Sequence, residues 1–205
     1  MLRFLAFLAA SFVIAAALSA QVTWREWNQK GENEFRAAEI AASIKSFDKA
    51  IQLEPRLAPH HWQRGISLYY ASRWKDCVKQ FALHKTVNPE DVENAVWHAL
   101  CVEKTKGREA ASKDLIAVSG DGRVPMAQVH RLFAGRATPE DVSKAAGTDP
   151  NARFYANLYL ALYWEFMGDA AKAKPHMLDA GAEPSANHYM GDVARVHCAV
   201  RGWKR

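Results

Sequence analysis

The residues best suited to chemistry in this chain are its histidines, cysteines and paired acids, and their spacing argues against a reactive centre. Eight histidines raise metal binding first. His60 and His61 are adjacent, so on a helix they point about 100° apart and are poorly placed to chelate together. There is no His-Glu-x-x-His, and no histidine pairs with a cysteine or an acid at a recognised ligand spacing. His84 reads as a packed imidazole, and His188 and His197 show no acidic partner in the sequence. No metal and no cofactor are expected. The three cysteines, Cys77, Cys101 and Cys198, are odd in number and far apart, so core-filling thiols are expected rather than a disulfide framework. The acid pairs Glu90-Asp91 and Glu140-Asp141 fall in what read as first helical turns, where the helix dipole accounts for them. With no Gly-x-Ser-x-Gly, P-loop or Gly-x-Gly-x-x-Gly, an enzyme is not expected. A cryptic hydrolase would need a histidine and an acid converging in one pocket.

Binding is the chemistry that remains, and an internal repeat would position it. The stretch from Trp27 to Pro55, shifted by 34 residues, places Gly31 on Gly65, Phe35 on Tyr69, Ser43 on Cys77, Phe47 on Phe81 and Pro55 on Pro89. Small residues meet small ones, large apolar residues meet large ones, and the closing proline recurs. Each unit reads as two antiparallel helices whose small residues let the backbones approach, with Phe47 and Phe81 filling the gap. The prolines end the second helices. One such pair cannot bury its own apolar stripe, so units must stack.

The pattern continues in weaker form. Ala99, Ala111 and Leu115 keep the register in a third unit, which Asn88-Pro89-Glu90-Asp91 opens as N-cap, N1 proline and first-turn acids. Ser119-Gly120-Asp121-Gly122 breaks it. Two short helices follow, one in PMAQVHRLF and one opened by Thr138-Pro139-Glu140-Asp141. A fourth unit uses Ala161, Trp164, Gly168, Ala173, Met177 and Ala180, with Pro184 closing it. Pro175 is expected to kink its second helix or shift that helix's start.

The 34-residue spacing resembles that of tetratricopeptide-repeat (TPR) proteins. The resemblance implies an all-α solenoid of about four helix pairs with an irregular connector and a capping helix. Expected boundaries are a leader at 1–20, a repeat array at 21–118 (units near 24–57, 58–91 and 92–118), a connector at 119–150, a late unit at 151–184, and a cap with a basic tail at 185–205. In TPR arrays the first helices line a concave groove. That places Asn28, Glu32, Phe35 and Arg36 of the first unit there, with Trp62, Ile66, Tyr69 and Tyr70 of the second and Val96, Leu100 and Lys104 of the third. The Lys and Asn of the familiar carboxylate clamp are missing, because Asn28, Glu32, Trp62 and Ile66 hold those positions. The aromatic surface of Trp62, Tyr69 and Tyr70 is the expected anchor, unless the connector or the capping helix fills the groove.

Residues 1–20 carry one early cation, an uncharged apolar run and small residues at its end, the layout of a cleaved secretory signal. The run from Phe4 to Leu18 is short for a membrane span, which needs about 20 residues. An exported chain, periplasmic or secreted and without a membrane span once processed, is expected; a retained N-terminal anchor is the lesser alternative. Net charge is +5 with the basic residues dispersed, so nucleic acid is not an expected partner.

GISLYY (65–70), NPED (88–91), AVWHALCVEK (95–104), VHRLFAGRATPEDV (129–142) and FYANLYLALYWEFMGD (154–169) follow the order of parts in the NlpI-like family of exported bacterial TPR scaffolds. That resemblance implies a scaffold, often dimeric, that gathers other proteins. This chain departs from the family in having no cysteine to carry a lipid after its apolar run. The expected function is binding of a protein or peptide in the groove. The alternative is a self-associating structural protein whose groove is filled from within.

Overall fold

The helical periods of the sequence become eleven α-helices and one 3-10 helix, with no strand, among residues 22–205, which the computed structural model describes. The expected leader lies outside those residues. None of the described helices is long and apolar enough to cross a membrane.

Helices α1 (Trp24–Arg36) and α2 (Ile40–Leu53) pack as a hairpin, and α3 (Trp62–Tyr70) and α4 (Trp74–His84) form a second. The matches read at an offset of 34 are physical contacts. A Cβ on Gly31 would stand 2.6 Å from the Phe47 ring, and one on Gly65 would stand 2.7 Å from the Phe81 ring. Phe47 and Phe81 are both buried, each contributing about 1.5–3 kcal/mol of apolar burial. Even the turns repeat, since Ala38 and Ser72 both take positive φ (61° and 58°), a conformation that strains a side-chain-bearing residue. Pro55 ends α2 as expected and opens a 3-10 helix, Pro55–His60.

The contact between successive hairpins also recurs, and here one expectation is corrected. Ser43 on α2 donates to Ser67 on α3 at 3.0 Å. Shifted by 34, that pair becomes Cys77 on α4 and Cys101 on α5 (Val92–Lys106), and these two form a disulfide with Cα atoms 6.0 Å apart. Both cysteines are buried as expected, but they are bonded to each other rather than free thiols. Their distance along the chain hid the pairing, which only stacking of the two hairpins creates. Cys198 is free and half-buried.

The third unit starts at Val92, but its cap is not the expected Asn88. Asp91 is the N-cap of α5 and accepts the Glu93 N–H at 3.0 Å, so Asn88 and Pro89 stay outside the helix. The Glu90 carboxylate does not cap the helix. It accepts the N–H groups of Ser119 and Gly120 at 2.7 and 2.8 Å and ties down that loop. Its partner helix α6 is only six residues, Arg108–Lys113, set off by Gly107 at φ 86°. The connector helices α7 (Met126–Phe133) and α8 (Pro139–Ala146) lie where the sequence puts them, the second behind a capping box between Thr138 and Asp141. The late hairpin is α9 (Pro150–Phe166) with α10 (Ala170–Ala182). Pro175 does not shift the start of α10, because Asp169 caps that end by accepting the Lys172 N–H at 3.0 Å.

The last helix, α11 (Tyr189–Arg201), packs on α10 and also reaches back to α1. Gly191 lets the loop before α11 fold tightly onto the helix's first turn, since a Cβ there would overlap the carbonyl oxygen of Ala186.

Two outcomes follow for stability. Gly65→Ala should destabilise by about 1–2 kcal/mol, because overpacking against a buried ring outweighs the gain in helix propensity. Gly191→Ala should cost more, because the obstacle is backbone, while Gly122→Ala, with nothing within 4 Å, should be neutral. Urea unfolding of the three variants checks that ranking. Thiol titration of the unfolded, unreduced chain should find one free cysteine. Cys77→Ser/Cys101→Ser should keep the fold, as the Ser43–Ser67 pair does one unit earlier, and lose about 3 kcal/mol of loop-closure stabilisation.

Candidate functional site: an aromatic pocket under the last helix

Helices α1, α3 and α5 present one aromatic face. Phe35 lies 6.0 Å from Tyr70 between ring centroids, Tyr70 lies 6.3 Å from Trp97, and Tyr69 meets Trp97 edge-on at 5.5 Å. Helix α11 covers much of this face. Tyr189 stacks on Phe35 at 5.2 Å and takes the edge of Trp62 at 5.0 Å. Aromatic pairs of this kind favour such offset and edge geometries.

The expected groove residues therefore have distinct fates. Phe35, Ile66, Tyr69 and Leu100 are enclosed, as is Val96. Arg36 donates to Asp192 of α11 at 3.0 Å. Tyr70 meets His197 Nδ1 at 3.0 Å through its hydroxyl, and burial holds its phenol well above the ordinary value. Asn28 donates to Glu32 at 2.8 Å, and burial raises the Glu32 carboxyl despite that bond. Lys104 is exposed and paired with Glu103 at 2.8 Å. Only Trp62 and Ile66 of the expected set line an open cavity.

That cavity has a volume of about 330 Å³ and lies where α3, α5 and α9 meet the start of α11. Its walls are aromatic: Trp62, Phe81, Trp97, Tyr155 and Tyr189. Its charged groups cluster as three carboxylates around one guanidinium, an excess of negative charge. Arg123 binds Glu93 at 2.5 Å and both Asp91 and Asp121 at 2.7 Å, and the Tyr159 hydroxyl donates to Glu93 at 2.5 Å. Burial raises the Glu93 carboxyl, with the Arg123 charge opposing. Two neutral polar groups are unmatched. Asn94 is 2% exposed, yet neither end of its amide has a hydrogen-bond partner. The Trp97 indole N–H is likewise buried without a partner, whereas the Tyr189 hydroxyl lies against Ser67. Buried polar groups are nearly always bonded, and Asn94 and Trp97, both on α5 beside this one cavity, are exceptions.

No family model and no curated protein matches this chain. Its own geometry must choose the site. A larger cleft of about 700 Å³ opens between the loop after α6 and the face of α7, rimmed by Lys113, Arg131 and Arg136. None of the residues with orphaned atoms lines it, and His130 there is bonded through Nε2 to the Ile116 carbonyl at 2.9 Å. The 330 Å³ pocket is the better candidate.

His197 requires another correction, because it does have an acidic neighbour. Glu165 on α9 lies 3.3 Å from Nε2, although off the line of a hydrogen bond. Arg201 binds the same carboxylate at 2.7 Å. Burial works to raise the Glu165 carboxyl, but the nearby His197 ring and the Arg201 ion pair bring it down to about 2. His197 is fully enclosed, and burial lowers its pKa. No group of three or more His, Cys, Asp or Glu side chains is placed to hold a metal among the described residues.

Trp97 and Asn94 sit on the helix from which Val96, Leu100 and Lys104 are expected, so the error is one of rotation about its axis. Arg123, Tyr155 and Tyr189 come from segments outside the strong repeats, and no local pattern points at them.

These buried groups give a pH dependence. Burial first, then the Arg64 charge, holds His61 down to about 4 against 6.5 in the unfolded chain. Unfolding in acid therefore takes up protons, and stability is lost as pH falls through the window from about 6.5 to 4. Glu165 extends the loss from 4.5 towards 2. The urea midpoint should decline steadily below pH 6.5. Glu165→Gln should flatten the part below 4.5 while lowering the neutral-pH plateau, since Arg201 loses its partner.

Proposed function

We propose that this chain is an exported TPR-like helical scaffold, not an enzyme, that binds a protein or peptide partner. The observation that carries the reading is the aromatic pocket between α3, α5 and α11, with Asn94 and Trp97 left unpaired beside it. Contacts that recur at a 34-residue offset, Gly31 on Phe47 with Gly65 on Phe81 and Ser43–Ser67 with Cys77–Cys101, support the repeat reading. The disulfide supports export, because such bonds persist in oxidising compartments. A hydrolytic role is disfavoured: His197 and Glu165 sit together but enclosed, and Arg201 already occupies the carboxylate.

A second reading has its own observation. Helix α11 covers Phe35 and Tyr70, which suits a structural protein whose groove is filled from within and whose outer faces self-associate.

Crosslinked recovery of partners from the native envelope extract separates the two. The chain should retain a partner that Trp62→Ala/Tyr155→Ala loses by about 30-fold, as expected for removal of anchors worth about 2 kcal/mol. Circular dichroism must show that the variant is folded. Recovery of nothing but the chain itself, with a dimer by light scattering, sinks the adaptor reading in favour of self-assembly.

A further inference from the structure

Aromatic rings and acids line the same cavity, and together they select a cation. Asp91 and Glu93 stand in its wall with Arg123, and Asp121 binds the same guanidinium from beyond the lining. Three carboxylates against one guanidinium leave the cluster formally at −2. Burial makes the Glu93 charge costly, and the guanidinium that offsets it is shared with two other acids. Acceptor capacity is also left over. Among the described residues, Glu93 Oε1, Glu93 Oε2 and Asp91 Oδ2 each accept one hydrogen bond, from Arg123, Tyr159 and Asn88 in turn. A carboxylate oxygen has lone pairs for two.

The rings add to the same preference. Trp62, Tyr155 and Tyr189 are half-buried on this cavity, and the negative face of an aromatic ring attracts a cation, an indole most strongly. Elsewhere the chain supplies the cation itself, with Arg25 4.4 Å from the Trp24 ring centroid and Lys172 4.3 Å from that of Trp164. No such pair involves Trp62 or Trp97 among the described residues. Of the two long basic side chains, arginine suits the place better. Its guanidinium is flat, more weakly hydrated than an ammonium, stacks on rings and pairs with carboxylates through two N–H groups. A cavity of about 330 Å³ has room for roughly ten water molecules, enough for that group and its stem.

We propose that the pocket receives an arginine side chain of a peptide partner, its guanidinium lying against Trp62 and paired with Asp91 and Glu93. The inference rests on the peptide-binding reading above and narrows it to one residue type.

At pH 8, above the ordinary histidine range, the full chain is titrated with acetyl-Gly-Arg-Gly-amide, following the indole NMR signals of Trp62 and Trp97. Parallel titrations put citrulline (the uncharged isostere), lysine or glutamate in place of the arginine. The arginine peptide should bind saturably, about tenfold tighter than the citrulline or glutamate peptide and about threefold tighter than the lysine peptide, and weaken as salt rises. Asp91→Asn should weaken it about threefold and leave the citrulline peptide unaffected, because asparagine caps a helix as well as aspartate but carries no charge. Trp62→Leu, which keeps apolar bulk without a ring, should weaken it about fivefold. Circular dichroism checks that both variants are folded. An Asp91 that serves only as a cap would leave the preference for arginine over citrulline intact.

Equal or tighter binding of the citrulline, glutamate or lysine peptide overturns the proposal, as does undiminished arginine binding by either variant. Indole shifts that follow protein concentration without peptide also overturn it, by making a second copy of the chain the occupant. If a partner is retained through Trp62 and Tyr155 but no arginine peptide binds, this inference alone fails. If the arginine peptide binds and no partner is recovered, the scaffold reading fails instead.

Discussion

The structure depends on α11 lying across the aromatic face of α1, α3 and α5. An open row of stacked hairpins leaves apolar surface at its end and along its inner side, and that surface must be covered. Here a single amphipathic helix meets the need and draws the first and last helices of the described residues together. It contacts α10 beside it and α1 at the far end, through Arg36–Asp192 and the Phe35–Tyr189 stack. Gly191 is a condition of the entry into that helix, since any side chain there would collide with the backbone of Ala186 in the preceding loop.

Two polar arrangements arise along this one helix, and they differ in kind. At its C-terminal half, Tyr70, His197, Glu165 and Arg201 engage one another in sequence, and only His197 Nε2 lacks a well-aligned bond. Such a network, with charges balanced, holds a helix in one register. At the N-terminal end, three carboxylates share the Arg123 guanidinium, while the Asn94 amide and the Trp97 indole have no partner. The first arrangement fits a role in architecture. The second fits binding, because uncompensated charge beside a cavity attracts an opposite one.

The sequence discloses the hairpins well, because glycine and phenylalanine at a fixed offset leave one way to pack. Gly31 against Phe47 and Gly65 against Phe81 are legible before any coordinates. The connector helices are legible too, from Thr138-Pro139-Glu140-Asp141. The start of α5 is misread because Asn88-Pro89-Glu90-Asp91 contains two plausible caps, and Glu90 is claimed by a distant loop that a local pattern cannot reveal. The disulfide could have been found: Ser43 and Ser67 are the same two places one unit earlier, and the offset that aligns Ser43 with Cys77 also aligns Ser67 with Cys101. The pocket could not. Arg123, Tyr155 and Tyr189 meet Trp62 only through the return of α11 and the fold of the connector, which are long-range events.

The covalent bond between α4 and α5 has a mechanical consequence. It joins the second hairpin to the third, so these two cannot part while the sulfurs are bonded, whatever force or fluctuation acts on the chain. Helix α11 has no such tether. It is held instead by packing, ion pairs and hydrogen bonds. The pocket thus has one wall, Trp62, Phe81 and Trp97, borne on hairpins joined covalently, and another, Tyr189, on a helix secured by non-covalent contacts alone.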